Sequence, residues 1–97
     1  MNKLNILSKE KSIKVVDDWY PCFKNNTIKI KISLNNFNGY YVKIIACGAD
    51  DFILEIEKDC ENFEDAILTY FDFEKIYDNI HNGVDKEYFY KLGFKKF

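Results

Sequence analysis

From residue 27 the chain alternates, with Ile28, Ile30, Ile32 and Leu34 separated by Lys29, Lys31 and Ser33. Successive side chains of an extended backbone point to opposite faces, so the four apolar residues share one face and the polar ones the other. The spacing predicts a half-buried antiparallel strand over 27–34. The following Asn35-Asn36-Phe37-Asn38-Gly39 predicts a turn, because its Asn-Gly pair suits positive φ. Residues 40–47 predict a second strand that is apolar on both faces, Val42, Ile44 and Ala46 against Ile45 and Cys47. That pattern belongs to a central strand covered by helices. Gly48-Ala49-Asp50-Asp51 predicts the next turn, and 52–57 a third strand with Phe52, Leu54 and Ile56 inward.

After Lys58 the period changes. Asn62 predicts an N-cap, with Glu64 and Asp65 at the positive end of the helix that follows. Phe63, Ala66, Ile67, Tyr70, Phe73, Tyr77 and Ile80 recur at helical spacing. The apolar content of Tyr70-Phe71-Asp72-Phe73 exceeds one stripe and predicts a break near Asp72, and Asn82-Gly83 predicts the helix end. Asp85 predicts a second N-cap, with Val84 and Phe89 placed as a hydrophobic staple. The helix over 86–92 then ends at Gly93, Phe94 folds back onto Phe89, and Lys95, Lys96 and Phe97 trail off. At the other end, 1–11 reads as a polar, weakly ordered arm and 12–16 as a short edge strand. The expectation is an α+β fold: a three- or four-stranded antiparallel meander followed by two helices packed on one sheet face, as a single domain over 1–97.

Composition narrows the chemistry. The 14 basic residues are all lysine, and the abundance of lysine, asparagine, isoleucine, tyrosine and phenylalanine points to an A/T-rich genome. Without arginine the chain lacks the planar fork that reads guanine bidentately, so direct nucleic-acid readout is not expected. Three cysteines, Cys22, Cys47 and Cys60, are an odd number without C-x-x-C spacing, which argues against a disulfide framework. Residues 1–9 contain no apolar run of signal-peptide length, and no stretch approaches the ~18 apolar residues of a membrane span. A cytoplasmic protein is expected, host-cytoplasmic if phage-encoded.

Candidate catalytic chemistry is sparse. His81 is the only histidine and lies near the predicted helix C-terminus, where an imidazolium suits the dipole. No Gly-x-Ser-x-Gly surrounds a nucleophile. Cys22, Cys47, Cys60 and His81 are spaced too widely for a zinc site, whose ligands come in close pairs. Asp50 and Asp51 lack the oxygen spacing of a calcium loop. The glycines Gly39, Gly48, Gly83 and Gly93 sit at turns and caps, which leaves no phosphate-cradling loop. No enzyme, metal or cofactor is expected. Trp19, beside Tyr20 and Pro21, reads as a core residue before an interface anchor.

Charge is the outstanding feature. Residues 1–48 hold eight lysines against three acids, net +5, and residues 49–97 hold six lysines against thirteen acids, net −7. Within 50–78 there are eleven acids and only Lys58 and Lys75. Charge of one sign at that density costs stability by self-repulsion, and it steers partners of opposite sign. A solvated face that keeps the protein soluble is the bland alternative.

Short, acidic, A/T-biased and without catalytic motifs, the chain resembles the small orphan proteins of phages and mobile elements, including anti-CRISPR and other anti-defence inhibitors. The resemblance implies a non-enzymatic inhibitor that mimics nucleic acid and binds a Lys/Arg-rich surface of a host defence nuclease. The acids expected to make that contact are Asp50, Asp51, Glu55, Glu57, Glu61, Glu64 and Asp65. Competing readings are an immunity or antitoxin-type protein and a structural subunit that forms a homodimer through Tyr88, Phe89, Tyr90 and Phe94. Neither a membrane nor free nucleic acid is an expected partner.

Overall fold

The computed structural model describes residues 4–15, 27–48 and 53–96. The chain forms β1 (Leu4–Lys14), β2 (Thr27–Asn36), β3 (Tyr40–Cys47), β4 (Ile53–Cys60), α1 (Phe63–Asn79), α2 (Lys86–Lys91) and β5 (Lys95–Lys96). The strands make one sheet in the order β1-β2-β3-β4-β5, each antiparallel to its neighbour. This is a small α+β domain in which an antiparallel meander packs against two helices.

The alternation over β2 sets the layering. Ile28, Ile30, Ile32 and Leu34 are buried, and the register aligns Ile30 with Ala46 and Ile32 with Ile44. Ala46 in turn faces Leu54, and Ile44 faces Ile56. These rows form the sheet side of one core, to which α1 adds Ala66, Tyr70, Phe73 and Tyr77 and α2 adds Phe89. Each of the isoleucine, leucine and phenylalanine side chains among them contributes about 1.5–3 kcal/mol by leaving water.

The Asn38-Gly39 turn and the caps at Asn62 and Asp85 form as expected, while residues 49–51 of the predicted 48–51 turn lie outside the described residues. Asn38 and Gly39 take φ of 54° and 117° between β2 and β3. Nothing lies within 4 Å of a Cβ placed on Gly39, so backbone conformation, not space, selects glycine there. The Asn62 side chain accepts from Asp65 N–H at 2.9 Å, and Asp85 accepts from Tyr88 N–H at 2.9 Å. Phe94 meets Phe89 edge-on with ring centroids 5.3 Å apart.

Several expectations are corrected. Most of 1–11 is not an arm, because Leu4–Lys14 is a full edge strand paired with β2. It escapes an alternation pattern because its helix-facing positions include Lys9 and Lys11, opposite Ile32 and Ile30, and a register shift between Asn5 and Leu7 breaks the period. Residues 12–14 belong to that strand, and Val15 makes a parallel bridge to Val84. The predicted break at Asp72 is absent: α1 runs on to Asn79, with Tyr70 and Phe73 inward and Phe71 exposed. It ends before Asn82-Gly83, which instead ties to β1 through Lys14 N–H to Asn82 Oδ1 at 3.0 Å and Gly83 N–H to Lys14 O at 2.8 Å. Lys95 and Lys96 do not trail off but pair with Glu55 and Leu54. The third predicted strand runs past Lys58 to Cys60. Trp19, Cys22, Phe52 and Phe97 lie outside the described residues. No helix among the described residues is long and apolar enough to cross a membrane.

Candidate functional site

The predicted acids fall into separate places. Leu54 is turned into the core, so by alternation Glu55 and Glu57 occupy the sheet face away from the helices. There the register sets Lys43 opposite Glu57 and Lys95 opposite Glu55. A lysine is therefore the cross-strand partner of each of these two acids, with the Cβ atoms of such a pair ~5 Å apart. Asp50 and Asp51 lie outside the described residues.

Glu61, Glu64 and Asp65 do come together. They are exposed at the corner where β4 gives way to α1. Asn62 fixes that corner by capping the helix, and Glu64 and Asp65 occupy its first turn. Phe63 packs across the corner onto Tyr40, with centroids 5.7 Å apart. Between β4 and α1 runs a cleft of about 320 Å³, whose carboxylates are Asp59, Glu61, Asp65 and Asp72 and whose one lining cation is Lys58. Cys60 Sγ and Thr69 Oγ1, 3.5 Å apart, also line it. The sequence selection omitted Asp59 and Asp72. Asp72 was findable, since Asp65, Thr69 and Asp72 follow the i, i+4, i+7 spacing of one helix stripe.

Farther along α1 the acids are neutralised. Lys9 Nζ lies 2.9 Å from Glu74 Oε2 and 3.7 Å from Asp78 Oδ1. The hydrogen bond to Glu74 raises the Lys9 pKa against its partial desolvation. Lys11 sits 4.4 Å above the Tyr77 ring and donates to the Tyr77 carbonyl at 2.7 Å. Burial lowers its pKa. Because α1 carries no basic residue in its last turn, β1 supplies the cations that its C-terminal end attracts. Burial also raises the hydroxyls of Tyr70 and Tyr77. Among the described residues no ion pair reaches Glu61, Glu64, Asp65 or Asp72.

The other candidates have simpler surroundings. His81 is exposed, with Nδ1 2.8 Å from the Asn82 carbonyl oxygen and its ring 6.1 Å from that of Tyr88. Cys47 and Cys60 are free thiols, and among the described residues no group of three His, Cys, Asp or Glu side chains is placed to hold a metal ion. Of the four aromatics expected to make a homodimer, Phe89 and Phe94 are consumed by the core and Tyr88 is half-buried, leaving Tyr90 at 39% exposure. A search of family models, curated proteins and solved structures returns no match to this chain.

Proposed function

We propose that the protein is a non-enzymatic inhibitor of the kind phages and mobile elements encode. It binds a lysine- and arginine-lined surface of a nucleic-acid-binding protein, such as a host defence nuclease. The observation that carries this reading is the β4–α1 corner, where Asp59, Glu61, Asp65 and Asp72 share one cleft and no ion pair reaches Glu61, Asp65 or Asp72 among the described residues. Glu64 stands on the same first turn. Four carboxylates gathered with Lys58 as the one lining cation repel one another and gain most when a cationic partner arrives. They also offer acceptor oxygens where a nucleic-acid-binding surface ordinarily meets phosphate. The site is accordingly narrower than the acid set chosen from sequence, with Glu55 and Glu57 excluded by their position beside Lys43 and Lys95.

The test uses a panel of purified RNA-guided nucleases from low-GC bacteria and measures DNA binding by gel shift with increasing inhibitor. The unaltered chain should block DNA binding by at least one member, less strongly as salt rises. The fourfold variant Glu61→Gln, Glu64→Gln, Asp65→Asn, Asp72→Asn, checked for folding by circular dichroism, should need at least roughly tenfold more protein for the same effect. Inhibition indifferent to the four substitutions, or none across the panel, overturns the proposal.

A further inference from the structure

α1 is apolar on two sides. Its inner stripe of Ala66, Tyr70, Phe73 and Tyr77 is buried on the sheet. A surface helix of a soluble domain requires one such stripe, with the opposite face polar. Here the outward face carries Leu68 at 63% exposure and Phe71 at 50%, and Phe63 at the first turn is 45% exposed. Leu68 and Phe71 are three residues apart and Phe63, Ile67 and Phe71 four, so they adjoin as a continuous strip. A shallow concavity lies between Phe63, Glu64, Ile67 and Leu68. Phe63 leans on Tyr40 and Ile67 on the core, but folding does not account for Leu68 and Phe71, which remain half or more exposed after the core is complete.

We infer that this strip docks an amphipathic helix of the partner protein, with leucine-like anchors seated on Phe63, Leu68 and Phe71 and lysines or arginines at its margins. The inference rests on the inhibitor reading and names the chemistry of its partner. Charge selects the occupant. Glu64 lies within the strip, and Asp65 and Asp72 flank Leu68 one turn to either side, with Lys75 a turn farther on. Apolar anchors bordered by cations match that layout. A second copy of the chain matches it less well, since its α1 offers one cation, Lys75, against Glu64, Asp65 and Asp72. An antiparallel pairing of two α1 helices centred on Leu68 sets Glu64 opposite Asp72, and a parallel pairing sets each acid against itself. Like charges directly opposed across an interface are disfavoured.

The experiment titrates the full chain, labelled with nitrogen-15, with two synthetic peptides of equal length and charge. One is a Leu/Lys helix former with leucines on one face, and the other replaces every leucine by serine. The inference expects amide shifts confined to residues around 63–72 with the Leu/Lys peptide, and binding at least roughly tenfold weaker with the Ser/Lys peptide. The double variant Leu68→Ser, Phe71→Ser, which touches only exposed positions, should remove that difference and leave Ser/Lys binding unchanged. Equal binding of the two peptides by the unaltered chain overturns the docking strip while leaving the acidic corner intact. Binding of neither overturns both readings. Sedimentation of the free chain as a dimer that the double variant dissolves assigns the strip to a second copy and overturns the inference.

Discussion

The two ends of α1 present the same kind of residue to different surroundings. Toward its C-terminus, Glu74 and Asp78 share Lys9, Tyr77 lies under Lys9 and Lys11, and the Tyr77 carbonyl accepts from Lys11. Toward its N-terminus, Glu64, Asp65 and Asp72 surround exposed Leu68 and Phe71, and no ion pair reaches them among the described residues. One end uses its charge to fasten a strand, and the other leaves charge and apolar surface facing water. A carboxylate's neighbours across the sheet, and not its place in an acidic run, therefore decide whether it is structural or available.

The sharpest contrast should appear in unfolding by urea. Tyr77→Ala removes a ring buried against β1 and should cost about 3–5 kcal/mol, whereas Leu68→Ala should stay within about 0.5 kcal/mol. Comparable losses at both positions would erase the distinction between the ends. Next in size is Asn62→Ala, which frees the Asp65 N–H that the cap satisfies and should cost about 1 kcal/mol. Faster amide exchange confined to the first turn is the accompanying signature.

Smaller effects separate the charges. Lys9→Gln should cost about 0.5 kcal/mol, because the pair is partly exposed, and the loss should shrink as salt screens it. Asp72→Asn should cost nothing or stabilise slightly, since it relieves repulsion without breaking an ion pair. A loss at Asp72 equal to that at Lys9 would mean that a cation holds it in solution.

Alkaline titration adds the last contrast. Burial holds the Tyr70 and Tyr77 protons past the ordinary value of 10.0, so the unfolded chain releases them first and stability falls as pH rises above that value. Lys9, raised from 10.5, adds to the fall at higher pH, while Lys11, lowered from 10.5, opposes it. Tyr70→Phe should flatten the decline seen by circular dichroism between pH 10 and 11, and an unchanged slope would place the buried proton elsewhere.

Much of the architecture is written locally. Alternation over β2, the Asn38-Gly39 turn, the caps at Asn62 and Asp85 and the Phe89–Phe94 return are each decided by a few consecutive residues. β1 is not, because Lys9 and Lys11 occupy inward positions that only α1, more than sixty residues later, makes tolerable. β5 escapes for a similar reason, as two lysines acquire strand geometry only from β4. α1 looked broken at Asp72 because two apolar stripes crossed there, one for the core and one for the outer face. The acid-rich segment was visible, but alternation sent Glu55 and Glu57 to the opposite side of the sheet. Helical spacing brought in Asp72 instead.

The bridge from Val84 to Val15 and the pairing of Lys95 with Glu55 anchor the two ends of one short segment to opposite edges of the sheet. Residues 84–95, with α2 in their midst, therefore belt the meander from side to side, a distance of roughly 24 Å at the usual strand spacing. In synthesis those residues follow every strand they hold, so the first strand meets its outer neighbour only after Val84 has emerged. A proteolytic cut between the two anchors would unbuckle one margin from the other, and limited digestion there should loosen the whole sheet rather than shorten it.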